Sequence, residues 1–175
     1  TLDLNRLDSG HDPVEAPNVS LSDVFAEIAG ELAALRPEAV QLRWHTGPSG
    51  RAVVTDRVKL KTILKNLVGN ALKFTDAGMV EVSALLGDDG FTVTVRDTGV
   101  GIAEDQLPVI FDMFRQGDGS SARRHGGVGL GLHIVKRLVD TLWGAVTVDS
   151  APGRGATFAV VLPNLGANLQ ATGTG

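Results

Sequence analysis

The sequence predicts one α/β domain in which helices cover one face of a mixed, largely antiparallel sheet. Two pairs of β-rich segments are each joined by a short glycine-containing turn: residues 79–86 with 91–96, and residues 145–150 with 157–162. Short connections of this kind favour antiparallel pairing. Other segments carry apolar residues at the spacing of amphipathic helices. Helices and a sheet that are each apolar on one side bury those sides together, which gives a two-layer sandwich.

Length and composition limit the possible functions. The chain has 175 residues, of which 43% are hydrophobic and 21% charged, as in ordinary globular domains. The net charge is −4 and no long basic block occurs, which argues against a nucleic-acid partner. Because cysteine is absent, the chain has no disulfide framework and no thiolate metal site. No signal peptide and no membrane-spanning apolar run is evident, so we expect a cytoplasmic location.

The N-terminal region predicts a linker followed by one helix. Residues 1–19 combine a short leucine pattern with Pro- and Asp-rich sequence, which is typical of a helix end and a linker. Ser20 can cap a helix over residues 21–35, and Pro37 ends it. The apolar face of this helix consists of Val24, Phe25, Ile28, Leu32 and Leu35. The folded domain is therefore expected to start at residue 20.

The next segment predicts two strands and a long helix. Residues 39–44 and 51–55 are rich in β-forming residues and flank a Gly-Pro-Ser-Gly turn at residues 47–50. Asp56 can cap a helix that extends to about residue 74. One broad arc of this helix is apolar and consists of Leu60, Ile63, Leu64, Leu67, Ala71 and Phe74.

A narrow polar stripe formed by Asn66, Asn70 and Lys73 lies beside this apolar arc. Spacings of four and three residues place the three side chains one above another. Asparagine is a mediocre helix former, so two of them on one stripe cost some stability. The stripe is either an ordinary solvated face or the lining of a cleft. In a cleft, the amide oxygens would suit Mg²⁺ and the ammonium would suit phosphate.

The segment 97–102, with the sequence Asp-Thr-Gly-Val-Gly-Ile, follows a predicted strand. It places the carboxylate of Asp97 before two glycines, Gly99 and Gly101. Glycine allows positive φ or a close approach to a ligand, and the carboxylate can accept a hydrogen bond from a purine amino group. A plain Asp-Gly turn explains the same residues equally well. Position 104 is Glu, so the third glycine of a dinucleotide fingerprint is missing.

A second glycine-rich stretch lies in the C-terminal half. Residues 104–114 look helical, and residues 115–127 lack an apolar period and predict a loop. Residues 126–132, with the sequence Gly-Gly-Val-Gly-Leu-Gly-Leu, then lead into a helix over residues 134–139. This stretch is either a flexible hinge or an anion site, because a helix N-terminus offers free N–H groups. Residues 164–175 are expected to be a disordered tail.

Four motifs in a fixed order resemble the ATP-binding catalytic domain of bacterial sensor histidine kinases. They are Asn66-x₃-Asn70-x₂-Lys73-Phe74, Asp97-x-Gly99-x-Gly101, Gly127-x-Gly129-x-Gly131 and Gly153-x-Gly155-x-Thr157-Phe158. This ATPase family also includes DNA gyrase, Hsp90 and MutL. The resemblance covers about residues 20–163 and implies a Bergerat-type ATP-binding fold. The pair Phe111-x-x-Phe114 matches the phenylalanine box of the kinases.

The resemblance implies a role for each matching residue. Asp97 would accept the adenine amino group, and Thr157 would support the adenine through water. Asn70 would bind Mg²⁺ and Lys73 would meet phosphate, while Asn66 would line the same site as the candidate catalytic helper. The other nucleotide-binding residues would be Gly99, Gly101, Ile102, Phe114 and Gly127, together with Gly129, Gly131 and Leu132, whose N–H groups would meet the phosphates.

The resemblance also implies partners. These kinases phosphorylate their own histidine, which precedes an acidic residue on a helical dimerisation domain. Of the four histidines here only His11 precedes an acid, and Pro13 follows it closely. We therefore expect the acceptor on an upstream domain, a homodimer of the full-length protein and a monomeric fragment. A response-regulator receiver domain would be the next partner, and residues 115–126 would form the ATP lid. Trp143, where two glycines are more usual, is expected to pack internally or contact a partner.

Two other functions stay open. A hydrolysing ATPase or clamp of the gyrase and Hsp90 class uses a glutamate on the long helix to activate water, and Asn66 occupies that place here. A degenerate module would no longer hold ATP, but the set of Asn, Asp and Gly positions argues against it. We therefore expect a Mg-ATP-dependent histidine kinase domain, either in a cytoplasmic protein or in the cytoplasmic part of a membrane-bound sensor.

Overall fold

A five-stranded sheet forms the centre of the computed structural model, which describes residues 18–47, 52–112 and 129–165. In these ranges the strands are β1 (Asn18–Ser20), β2 (Val40–His45), β3 (Ala52–Val54), β4 (Gly78–Leu86), β5 (Gly90–Asp97), β6 (Ala145–Ser150) and β7 (Ala156–Pro163). The α-helices of the same ranges are α1 (Leu21–Leu32), α2 (Arg57–Lys73) and α3 (Gly129–Thr141). The sheet has the order β2-β4-β5-β7-β6, in which only the β2–β4 pair is parallel. The prediction of a mixed, largely antiparallel sheet is confirmed.

A separate two-stranded sheet pairs β1 with β3 in antiparallel fashion. The predicted strands at residues 39–44 and 51–55 therefore exist but belong to different sheets. The linker predicted through residue 19 is too long, because Asn18 and Val19 already pair with Val54 and Val53. A strand this short has no periodic signal of its own and is defined by its distant partner.

The helices pack on one face of the central sheet, as predicted. Along β5 the side chains of Phe91, Val93, Val95 and Asp97 are buried on this face and alternate with more exposed neighbours. Helix α2 packs on β4 and β5, and α3 packs on α2 and β6. The row of residues at one end of the covered face is therefore Asp97 on β5, Ala156 on β7 and Ser150 on β6.

Local capping signals set the starts of α1 and α2. The Ser20 hydroxyl accepts the N–H of Asp23 at 3.3 Å, and Asp56 Oδ1 accepts the N–H of Lys59 at 3.0 Å. Both predicted N-caps are confirmed. Each satisfies a backbone donor that has no partner inside its helix, which stabilises a helix by about 1 kcal/mol.

Two predictions of helix extent are corrected. Helix α1 ends at Leu32 and continues only as a 3₁₀ turn, so the side chain of Leu35 is 63% exposed instead of buried. The described part of the predicted helix 104–114 contains only the 3₁₀ helix Leu107–Val109. Pro108 lacks an N–H and its ring clashes with the preceding turn, which prevents an α-helix there.

The predicted disordered tail starts too early. Asn164 Oδ1 accepts the N–H of Val54 and the Asn164 N–H donates to the carbonyl of Asp89, while Leu165 is buried. Asn164 thus links the small sheet to the β4–β5 turn and Leu165 is buried, so both residues belong to the folded domain. Residues 166–175 lie outside the described part of the chain.

Trp143 ends α3 in an unusual backbone conformation. Its φ is 60°, in the left-handed region where the helix-ending residue is usually glycine. Its side chain is 69% exposed, so the expectation of internal packing is wrong. The N–H groups of Trp143 and Gly144 bond back to the last turn of the helix, which accounts for the conformation.

Helices α1 and α2 are joined by surface ion pairs. Glu27 pairs with Arg57 and Lys61, and Glu31 pairs with Lys61 and Lys65. Hydrogen bonds from Lys61 and Lys65 lower the pKa of Glu31 from 4.5 to about 2. A carboxylate with a lowered pKa adds stability above its unfolded pKa and loses it as the pH falls through the folded value.

We expect Glu31→Gln to flatten the acid dependence of stability. In the native chain the contribution of Glu31 is complete above about pH 5 and disappears between pH 4.5 and about 2. The measurement is the urea unfolding midpoint at several pH values in that window. Glu38→Gln is the control, because Glu38 is exposed and has no ion pair among the described residues. Equal acid sensitivity of the two variants would contradict the assignment.

Candidate functional site

Asp97 and Asp56 are the buried acidic residues in the described part of the chain, and Asp97 is 7% exposed. Its Oδ1 accepts the N–H of Gly99 at 2.9 Å and the N–H of Ala156 at 3.3 Å. The hydrogen bonds of the described residues leave Oδ2 without a partner. Burial raises the pKa of the Asp97 carboxyl, and the two N–H groups oppose this shift. Asp97 is thus a fixed acceptor with one oxygen available.

The turn that follows Asp97 is held by three different elements. The Val100 N–H donates to the Phe74 carbonyl at the end of α2, at 3.1 Å. The Met79 N–H donates to the Thr98 hydroxyl at 2.9 Å, which ties the turn to β4. On the third side, the Ile102 N–H donates to Ser150 Oγ at the end of β6, at 2.8 Å. The position of Asp97 is therefore set by hydrogen bonds on all three sides, one between backbone groups and two to the hydroxyls of Thr98 and Ser150.

The two glycines of this turn are required by the protein's own backbone. A Cβ at Gly99 would collide with the Phe74 carbonyl oxygen, and one at Gly101 would collide with the Ala151 carbonyl oxygen. Gly101 also has a φ of +74°, which disfavours any side chain. Of the two sequence interpretations, positive φ is confirmed at Gly101, and the close approach that the structure shows is to the protein's own backbone. Contact of Gly99, Gly101 and Ile102 with nucleotide stays a prediction.

The polar stripe of α2 leads towards this turn. Asn66 Nδ2 donates to the Thr62 carbonyl at 2.8 Å, and its Oδ1 has no hydrogen-bond partner among the described residues. Asn70 Nδ2 is buried and has no hydrogen-bond partner among the described residues. A buried amide nitrogen without a hydrogen-bond partner costs about 1–3 kcal/mol, and an acceptor group on a ligand would offset this cost. Lys73 is exposed at the last residue of α2, next to Phe74.

The second glycine-rich stretch starts α3 as predicted. Gly129 is the first residue of the helix, and Gly131 and Leu132 follow in the first turn. N–H groups of a first helical turn have no carbonyl partner within the helix, so they suit an anion. Gly127, Phe114 and the predicted lid at residues 115–126 lie outside the described residues.

The first phenylalanine of the predicted phenylalanine box has a packing role. Phe111 meets Phe158 of β7 edge to face, with ring centroids 6.2 Å apart and an interplanar angle of 87°. Such a pair adds about 0.5–1.5 kcal/mol beyond the area that it buries. Phe111 thereby attaches the segment after the Asp97 turn to the sheet.

The structure does not bring Thr157 together with Asp97. Thr157 lies opposite Arg96 on β5 and Asp149 on β6, on the face that the helices leave open. Side chains alternate along a strand, so Thr157 and the buried Phe158 point to opposite faces. The expected support of adenine by Thr157 is therefore corrected. Strand β7 contributes the Ala156 N–H instead. Apolar residues at every second position from 156 to 162 are the sequence signal that places Thr157 on the other face.

Comparison with known proteins agrees with this geometry. The family model described as "Histidine kinase-, DNA gyrase B-, and HSP90-like ATPase" matches residues 55–166, which is more than half of the chain. The chain belongs to this ATPase family. The match includes the polar stripe of α2, the Asp97 turn and the start of α3.

Individual members of the ATPase family identify the histidine kinase branch. Sensor histidine kinase GacS of Pseudomonas protegens is 34% identical over 92% of this chain and 18% of that protein. Histidine-protein kinase BarA of Escherichia coli is 46% identical over 61% of this chain and 12% of that protein. Full-length ShkA in complex with AMPPNP superimposes with a TM-score of 0.81 and 32% identity, covering 93% of this chain and 34% of ShkA.

These similarities confirm the predicted fold and an ATP-binding kinase domain of the histidine kinase type. The chain spans between 10% and 18% of the length of the first three curated relatives. In the described residues of this ATPase domain, none of the helices has the length and apolar character needed to cross a membrane.

We expect Asp97→Asn to weaken ATP binding by at least about tenfold, because 1.4 kcal/mol corresponds to tenfold and an unpaired buried polar group costs about that much. The amide can turn a donor towards the adenine amino group, which is also a donor. Calorimetric titration with AMPPNP measures the effect. The control is Asp149→Asn on the open face of the sheet, which should bind normally. Unchanged affinity of Asp97→Asn, with native thermal unfolding, would contradict the adenine role of Asp97.

Proposed function

We propose that this chain binds Mg-ATP and transfers its γ-phosphoryl group to a histidine on an upstream dimerisation domain. The observation that carries the proposal is the Asp97 carboxylate, with Oδ1 fixed by two backbone N–H groups and Oδ2 available. An acceptor without a donor suits the amino group of adenine. The same acceptor repels the carbonyl oxygen that guanine has at that position, so the site favours ATP over GTP.

The phosphate half of the site is proposed for α2 and α3. The Asn70 amide would supply an oxygen ligand to Mg²⁺, and its buried, unpartnered nitrogen would be available as a donor to a phosphate oxygen. Mg²⁺ usually keeps several waters and shares phosphate oxygens, so one amide ligand from the protein is sufficient. When bound, the ion neutralises phosphate charge. Lys73 and the N–H groups of Gly129, Gly131 and Leu132 would hold the phosphates.

Phosphoryl transfer of this kind needs positioning and charge neutralisation more than covalent chemistry from the kinase domain. The nucleophile would be a histidine ring nitrogen of the dimerisation domain. Asn66 would line the metal site as a catalytic helper that orients a bound group through its Oδ1. An amide cannot take a proton from water at neutral pH, which is why we favour transfer to histidine over hydrolysis.

The proposed partners rest on the similarity to histidine kinases. The named relatives include the hybrid signal transduction histidine kinase L of Dictyostelium discoideum. We infer a homodimeric full-length protein, a histidine-containing dimerisation domain upstream and a response-regulator receiver domain as the next phosphoryl acceptor. The proposed location is the cytoplasm, where ATP is available.

We expect Asn70→Ala to weaken ATP binding only when Mg²⁺ is present, because the amide oxygen is proposed as a metal ligand. Titration with AMPPNP in Mg²⁺ and again in excess EDTA measures the difference. Asn66→Ala is the matched control on the same stripe, and it should slow transfer more than it weakens binding. An equal loss for Asn70→Ala with and without Mg²⁺ would mean a structural role for that residue.

We expect the 175-residue chain to bind Mg-ATP without labelling itself. Incubation with γ-³²P-labelled ATP should give acid-labile label only on an added histidine-containing dimerisation domain, as expected for phosphohistidine. Asp97→Asn, included in parallel, should abolish this label. Label on the isolated chain would contradict the expectation that the acceptor histidine lies on another domain. Rapid release of free phosphate would favour an ATPase.

A further inference from the structure

Ser150 lies beside the proposed adenine site, although no motif contains it. It is the last residue of β6, and it is half-buried on the face that the helices cover. It stands opposite Ala156 on β7, which in turn stands opposite Asp97 on β5. The three residues therefore form one row across three strands.

The Ser150 hydroxyl uses both of its hydrogen-bonding functions. It accepts the N–H of Ile102 at 2.8 Å, and it donates to the carbonyl oxygen of Gly155 at 2.7 Å. The first bond holds the end of the Asp97 turn. The second holds the loop that connects β6 to β7.

The Gly155 carbonyl and the Ala156 N–H are the two ends of one planar peptide unit. Ser150 binds the carbonyl end, and Asp97 Oδ1 accepts the N–H end at 3.3 Å. Gly155 also packs directly on the carbonyl of Asp97, where a Cβ would collide with it, and has a φ of +77°. Rotation of this peptide would therefore move both the donor to Asp97 and the surface against which Asp97 packs.

We propose that Ser150 is a positioning residue for adenine recognition. By fixing the Gly155–Ala156 peptide, it holds Asp97 Oδ1 and so keeps Oδ2 directed at the base. The inference rests on the proposed adenine role of Asp97. Its consequence is that the Ser150 hydroxyl contributes to the preference for ATP over GTP, although it touches neither nucleotide.

The ratio of the affinities for ATP and GTP shows whether Ser150 positions Asp97 or only stabilises the fold. Loss of the hydroxyl leaves the Ile102 N–H and the Gly155 carbonyl without this partner, and that cost lowers stability whichever nucleotide binds. Such a loss weakens ATP and GTP binding equally. A change in the orientation of Asp97 instead lowers affinity for ATP and relieves the repulsion of GTP. The ratio of the two affinities thus reports positioning.

The test is calorimetric titration of the 175-residue chain with AMPPNP and with GMPPNP. Ser150→Ala should reduce the ATP preference by about fivefold, since one hydrogen bond contributes about 1 kcal/mol and 1.4 kcal/mol corresponds to tenfold. Ser150→Thr keeps the hydroxyl and should restore the preference. Thr147→Val, on the same strand but on the open face, should leave both affinities unchanged.

Asp97→Asn separates a failure of the adenine role of Asp97 from a failure of the positioning role of Ser150. If Asp97→Asn loses the ATP preference and Ser150→Ala keeps it, the role of Ser150 is overturned and the adenine site stands. If Asp97→Asn also keeps the preference, both are overturned. Should thermal unfolding show that Ser150→Ala does not fold, Ser150→Cys replaces it, because a thiol is a weak hydrogen-bonding group of similar size. A native ratio for that variant would equally refute the inference.

Discussion

Contact between backbone segments at glycine is the constraint on which the Asp97 turn depends. At Gly99, Gly101 and Gly155, chain segments approach so closely that any Cβ would overlap a carbonyl oxygen. These contacts bring the end of α2, the β6–β7 loop and strand β5 together at one point. They also allow N–H groups to reach Asp97 Oδ1, so a buried carboxylate is held without a cationic side chain among the described residues. The glycines thus allow the close backbone contacts that hold the Asp97 carboxylate as a hydrogen-bond acceptor.

Helix α2 links the core to the site. One side contributes side chains that are fully buried under the sheet, including Leu60, Ile63 and Leu64. The neighbouring side carries Asn66 and Asn70. At the end of the helix, the Phe74 carbonyl oxygen accepts the N–H of Val100 in the Asp97 turn. The apolar arc fixes the rotation of the helix about its axis, because turning it would expose those side chains. The orientation of the amides therefore follows from core packing.

Features with local causes could be predicted from the sequence. The caps at Ser20 and Asp56 depend on residues within one helical turn, and both were predicted. The Asp97 turn and the α2 stripe are also predicted as local structure, because their residue spacing indicates a turn after a strand and one face of a helix. The errors concern distant partners: strand β1 exists only through β3, and Asn164 is held by Val54. The motif predicts Thr157 at the adenine, but strand alternation places its side chain on the open face. Ser150 has no sequence signal, because its contacts depend on strands β5, β6 and β7 ending side by side.

The way Asp97 is held has a consequence for the response to ionic strength. Its stabilising partners are backbone N–H groups in a mostly buried environment, and mobile ions screen buried interactions less than exposed ones. Lys73, in contrast, is exposed at the end of α2, where salt screens its attraction for phosphate. In a nucleotide bound to both Asp97 and Lys73, the contact with the base would depend little on salt. The contact with the phosphates would weaken as the salt concentration rises. Discrimination between bases would then persist at salt concentrations that already weaken overall binding.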